Sequence, residues 1–161
     1  MDQREKFRSY SVLTNLMHVD LDASRAYAQA IEALAVTAIR RRLEAFRADH
    51  ERHIASLAAE IRALGMAPPP RDEARRGFLL AGYTAIFASM GIEAALRALR
   101  ANETLTNQRY DEALAADLPN AVRQLIERSR LDERRHIRFL EDAIDKRSWE
   151  GAGADVAAGG R

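Results

Sequence analysis

Six side chains have the types and spacing that metal coordination needs. Glu133 and His136 are three residues apart, so on a helix both project from one face. His50 and His53 repeat that spacing. Asp20 and Glu103 each precede one of these pairs by about thirty residues and sit mid-way along an apolar face. A carboxylate in such a position needs a compensating partner, because an isolated buried charge is too costly to keep. Carboxylate oxygens and imidazole nitrogens together suit iron, manganese or zinc. The chain has no Cys, which excludes thiolate sites and disulfides.

The six residues fall into two sets because the sequence repeats itself. Asp132 to Leu140 reads DERRHIRFL, and Asp49 to Leu57, eighty-three positions earlier, reads DHERHIASL. The same shift superimposes Arg52 on Arg135, His53 on His136, Asp20 on Glu103, Tyr27 on Tyr110, Leu13 on Leu96 and Leu16 on Leu99. Each half therefore carries an acid, a Tyr seven residues on, and a His-bearing segment. Two copies of one supersecondary unit predict a pseudo-symmetric helical bundle with a polar site on its axis.

Four helices must position these groups. The first is expected from Ser9 or Ser11, with Leu13, Leu16, Asp20, Ala23, Tyr27, Ala30, Ile31 and Leu34 on one face. The chain turns at Val36 and Thr37, with Thr37 the expected cap of a second helix running to Leu64. That helix turns Ile39, Leu43, Phe46, His50, His53, Ile54, Leu57 and Ile61 inward, and Gly65 followed by Pro68, Pro69 and Pro70 ends it. If each half is an antiparallel hairpin, the second and third helices run parallel and the chain must travel back along the bundle. The apolar run from Gly77 to Ile92 supplies a crossover helix, with a break near Gly91; one long helix containing Gly77, Gly82 and Gly91 is the alternative. The third helix carries Leu96, Leu99, Glu103, Thr106, Tyr110, Ala113 and Leu114, and stops at Asp117-Leu118-Pro119, where Asp117 is a candidate cap for the fourth. The fourth carries Val122, Leu125, Ile126, Ser129, Glu133, His136, Ile137, Leu140 and Ile144. The expected fold is all-α, an antiparallel four-helix bundle over residues 9–146, followed by a disordered tail at 147–161.

Composition agrees. The 161 residues make one domain, and 25 basic against 24 acidic residues leave no electrostatic footprint for nucleic acid. The charged N-terminus lacks the apolar core of a signal peptide, and the run at Gly77 to Ile92 is short for a membrane span. These features predict a cytoplasmic protein with neither nucleic-acid nor membrane partners. The apolar crossover needs cover from the bundle or from a second copy, so a homo-oligomer, as a dimer, is expected.

The arrangement resembles the ferritin-like superfamily, the four-helix bundles that include bacterioferritins and rubrerythrins. Those proteins use one carboxylate from each of two helices and a Glu-x-x-His from each of the other two, all aimed into the core. Glu103 with Glu133-x-x-His136 fits the pattern, as do Asp20, Tyr27 and His53. His50 departs from it, standing where the family has a bridging Glu. The resemblance implies Asp20, His50, His53, Glu103, Glu133 and His136 as ligands of one or two ions, iron first and manganese or zinc as alternatives, with Glu133 the bridge. Any reaction would be metal-dependent oxidation using oxygen or peroxide. Asp49 and Asp132, each four residues before a His, are expected to orient His53 and His136 respectively through their outer ring nitrogens. Tyr27 and Tyr110 are expected near the site. The competing reading is a non-enzymatic helical module, its acids spent on structural ion pairs such as Glu133 with Arg130.

Overall fold

The computed structural model describes residues 2–71 and 90–150. They form four helices: α1 (Gln3–Ala33), α2 (Thr37–Ala63), α3 (Ile92–Ala115) and α4 (Asn120–Asp145). No strand occurs among the described residues. The all-α four-helix bundle read from the pattern is the observed fold. None of the described helices is long and apolar enough to cross a membrane.

Helix ends differ from expectation in three places. α1 begins at Gln3, well before Ser9, because Asp2 and Glu5 form a reciprocal capping box: the Asp2 carboxylate accepts from Glu5 N at 2.8 Å and Glu5 accepts from Asp2 N at 3.1 Å. Ser9 lies inside the helix and donates back to the Glu5 carbonyl at 2.9 Å. Thr37 is the first residue of α2 rather than its cap; Val36 takes that position with no side-chain bond. Asp117 lies two residues before the cap position of α4, which is Pro119, and pairs instead with Arg8 at 2.8 Å. Gly65 does terminate α2. Its positive φ of 71° lets Met66 N reach the Ile61 carbonyl and Gly65 N reach that of Arg62. Gly91, at φ 112°, opens α3.

α1 packs on α2 and α3 on α4, giving two hairpins; α1 also faces α3, and α2 faces α4. Both cross-hairpin pairs are antiparallel. Tyr27 reaches Glu103 while Tyr110 reaches Asp20, and Asp49 reaches His136 while Asp132 reaches His53. That reciprocity is a pseudo-two-fold axis perpendicular to the helices. It leaves α2 and α3 parallel, so the end of α2 and the start of α3 lie at opposite ends of the bundle. Of the Gly77 to Ile92 run expected to supply the crossover helix, 77–89 lies outside the described residues, and the expected break near Gly91 is where α3 opens. Of the expected tail, residues 147–150 form a turn in which Trp149 packs against the core; 151–161 lie outside the described residues.

The apolar core is split in two. One cluster includes Leu13, Leu16, Leu57, Ile61, Val122 and Ile126. The other includes Leu34, Leu43, Phe46, Leu96, Leu99 and Leu140. Each fully buried Leu of this kind contributes roughly 1.5–3 kcal/mol through removal from water. Between the clusters, half-way along all four helices, lies a layer of buried polar side chains.

Candidate metal centre

All six residues singled out by spacing meet in that layer. Asp20, His50, Glu103, Glu133 and His136 have no solvent exposure, and His53 has almost none. One comes from α1, two from α2, one from α3 and two from α4. The three-residue spacing places both members of each pair on the inner face, and the antiparallel register brings the four helices to the same depth.

His50 occupies the middle. Its Nδ1 lies 2.9 Å from Asp20 Oδ1 and its Nε2 lies 3.1 Å from Glu103 Oε1, so the ring spans the axis from one carboxylate to the other. An ionised carboxylate only accepts, so both ring nitrogens act as donors here. His53 Nδ1 lies 3.4 Å from Asp20 Oδ1 and 3.0 Å from Glu133 Oε1, the closer contact lacking hydrogen-bond alignment. His136 Nδ1 stands 3.5 Å from Glu103 Oε1 and 3.6 Å from Glu133 Oε2. The Tyr27 hydroxyl donates to Glu103 Oε1 and the Tyr110 hydroxyl to Asp20 Oδ2, each at 2.7 Å.

The outer support is crossed rather than local. Asp49 serves His136, at 3.0 Å from its Nε2, and Asp132 serves His53, at 3.1 Å from its Nε2. The expected pairing of each Asp with the His four residues on in its own helix is therefore corrected. Both His rings turn inward across the α2–α4 seam, and the nearest carboxylate to each outer nitrogen belongs to the facing helix. Arg52 and Arg135 each bridge both carboxylates at 2.7–2.9 Å, closing a four-charge ring over the seam.

These contacts set the charge states. Burial pushes the Asp20 carboxyl up, but hydrogen bonds from His50 and His53 outweigh it and hold the group below its ordinary value. Burial likewise raises Glu103, and contacts with His136 and His50 bring it well below the ordinary carboxylate range. Burial lowers the imidazoles, but their carboxylate neighbours win. His50 is raised well above its ordinary value by the charge of Glu133 and its bonds to Asp20 and Glu103. His53 is pushed up to about 10 by Asp20 and Glu133, and His136 to about 10 by Asp49, Glu103 and Glu133. Burial and the adjacent carboxylates drive Tyr27 and Tyr110 well above 10.0, keeping both hydroxyls protonated.

Two groups of four are close enough to hold a metal ion: Asp20, His50, His53 and Glu133, and His50, Glu103, Glu133 and His136, with one ligand atom from each residue within 4.8 Å of the others. His50 and Glu133 belong to both. The second observation is chemical. Glu103 Oε2, both Glu133 oxygens and His136 Nδ1 are buried with no hydrogen-bond partner among the described residues. Unsatisfied buried carboxylate oxygens and an inward imidazole nitrogen are costly unless a cation meets them. The donor set fits a divalent ion. Arg130, the candidate structural partner for Glu133, goes elsewhere: it holds Asp111 at 2.7 and 2.8 Å and Asn107 at 2.8 Å.

Sequence reasoning missed three participants. Asn107 donates to the backbone carbonyls of Glu103 and Glu133, at 2.8 and 3.1 Å, fastening α3 to α4 beneath the two carboxylates. Its only signal was a polar residue one turn after Glu103 on the inner face. Phe46 stacks on His136 with ring centroids 4.3 Å apart, and read only as a core residue. The Arg52–Arg135 ring was signalled by the repeat itself, which conserves both arginines alongside both aspartates between its two copies.

Residues 9–116 match the model of a family described as a domain of unknown function, DUF2383. The match takes in Asp20, His50, His53 and Glu103 and stops before Glu133 and His136. No curated protein matches the chain.

Proposed function

This chain belongs to the DUF2383 family, and we propose that its bundle is a ferritin-like domain built around a metal centre. The ligands are drawn from Asp20, His50, His53, Glu103, Glu133 and His136, and iron is the first candidate, with manganese and zinc as alternatives. The observation that carries this reading is the set of partnerless buried atoms on Glu103, Glu133 and His136. A structural network would satisfy those atoms with hydrogen bonds; here Glu133 Oε1 and Oε2 stand 3.0 Å from His53 Nδ1 and 3.6 Å from His136 Nδ1 without making one.

A bound ion of this class supplies Lewis acidity and, for iron or manganese, one-electron chemistry toward oxygen or peroxide. The protein's own groups bind and orient. Tyr27 and Tyr110 fix Glu103 and Asp20, Asp49 and Asp132 fix the two outer imidazoles, and the apolar clusters at either end exclude water. Metal uptake displaces imidazole protons, because a ligating nitrogen must offer its lone pair.

The test is metal content per chain by mass spectrometry after purification without chelator, for the wild type and for Glu133→Ala combined with His136→Ala. Near-stoichiometric metal in the wild type and its loss in the double variant is the expected result. No metal after anaerobic loading with Fe(II), Mn(II) or Zn(II) would overturn the reading.

A further inference from the structure

The two groups of four are not equivalent, and on the reading of this layer as a metal centre their difference decides where an ion sits. We propose that one ion binds per chain, in the half formed by Glu103, Glu133 and His136, with His50 Nε2 as the fourth ligand and Asp20 as the positioning partner of His50 rather than a ligand.

The argument begins with the valence of imidazole. A neutral ring has one nitrogen lone pair and one N–H, so it ligates on one side only. His50 spans the axis, and whichever half it serves, its other nitrogen must donate to the carboxylate opposite. The shorter of its two bonds is the one to Asp20, 2.9 Å from Nδ1 against 3.1 Å to Glu103 from Nε2. Keeping the proton on Nδ1 leaves Nε2 for the Glu103 side.

The unsatisfied atoms point the same way. Glu103 Oε2, Glu133 Oε2 and His136 Nδ1 all belong to that half and all lack partners among the described residues. In the other half Asp20 is already engaged at both oxygens, by His50 and His53 at Oδ1 and by Tyr110 at Oδ2. Only Glu133 Oε1 is left over there, and it faces His53 Nδ1 at 3.0 Å.

With the ion on the Glu103 side, each ligand has one outer partner. Tyr27 holds Glu103, His53 stands against Glu133, Asp20 holds His50 and Asp49 holds His136. A ligating His that donates its other N–H to a carboxylate is the usual orienting device, and it occurs here twice. With the ion on the Asp20 side the scheme fails, because Glu103 would have to accept from His50 while Glu103 Oε2 and His136 Nδ1 stayed buried and unpaired.

The experiment is a Zn(II) and Mn(II) titration of the full chain, read as bound metal per chain by mass spectrometry after gel filtration. The wild type, His53→Gln, His136→Gln and Asp20→Asn are compared, with circular dichroism checking folding. One ion in the wild type is expected. At saturation His53→Gln and Asp20→Asn each retain it with affinity lowered about 10–100-fold, and His136→Gln loses it. Two ions per chain overturn the proposal, as does a single ion that survives His136→Gln and is lost in His53→Gln. Anomalous diffraction from Mn(II)-loaded wild type needs no variant: a peak against His136 and Glu103 supports the assignment, and one against His53 and Asp20 overturns it. A wild type that binds nothing is a different failure, since it removes the metal centre as a whole.

Discussion

The pseudo-two-fold axis places Asp20 opposite Glu103, His50 opposite Glu133 and Phe46 opposite Ser129. At each pair the hairpins share a backbone position and diverge in chemistry. Glu103 reaches one methylene further inward than Asp20. Phe46 covers the His136 ring and is itself met edge-on by Phe139, with centroids 5.3 Å apart. Ser129, small and buried, stands where a second Phe would be. One half is thus aromatic-walled with three unsatisfied inward atoms, and in the other only Glu133 Oε1 lacks a hydrogen bond. On the proposed metal reading, a repeated backbone sets where ligands can stand, and the difference between His50 and its counterpart Glu133 decides which of the two places is open.

Removing His50 tests this most severely. His50→Ala leaves Asp20 and Glu103 buried without their shared partner, and an uncompensated buried charge of this kind costs about 3–5 kcal/mol. Urea denaturation of the metal-free variant should show a loss of that size. His50→Glu does the opposite to the comparison by giving both hairpins the same carboxylate. Its metal-free form should also be destabilised, but its metal content should rise from one ion to two per chain. If His50→Glu still binds one, the asymmetry has another source.

The next effect is pH, and in the metal-free protein it should make the halves look alike. His53 and His136 both have folded values near 10 against an ordinary value of 6.5. A raised value means the folded state holds its proton more tightly than the unfolded chain does. The stabilisation is therefore full below about 6.5 and is lost as pH climbs through about 10. On the acid side Asp20 and Glu103 are lowered, so their contribution is present above the ordinary carboxylate range and lost as pH falls below it. Thermal melts of the metal-free protein should peak between about pH 5 and 6.5 and fall toward pH 10. His53→Gln and His136→Gln should each flatten the alkaline limb by a similar amount. Metal affinity should run the other way and rise with pH, because uptake expels imidazole protons. A flat alkaline limb in the wild type would mean that the histidines are neutral in the folded protein.

Much of this was legible before any coordinates. The inward faces follow from three- and four-residue spacing, and residues such as Leu13, Leu43, Leu99 and Leu140 are buried as that spacing requires. The six polar residues converge because a charge on an apolar face has few places to go. What could not be read is what depends on distance between helices. The spacing of Asp49 and His53 within one helix suggested a local bond, yet the crossed pairing with His136 depends on how α2 and α4 face each other. Helix ends were the other gap. Asp2 and Glu5 form a capping box with the right spacing, but they lie before the first apolar residue of the α1 face, so periodicity gave no reason to look there.

The smallest expected effect lies on the surface, where the halves should remain equal. Arg52 and Arg135 each bridge Asp49 and Asp132, and each guanidinium side chain is more than half exposed. Solvent screens such pairs, so Arg52→Ala and Arg135→Ala should each cost under about 1 kcal/mol, with the loss shrinking in high salt. The two values should agree within error, since the ring is built from residues the repeat shares. An unequal pair, with Arg135→Ala the more damaging, would mean that the asymmetry of the centre reaches the surface through Asp49 and His136. Equal values would confine it to the buried layer, where His50 and Glu133 face each other across the axis.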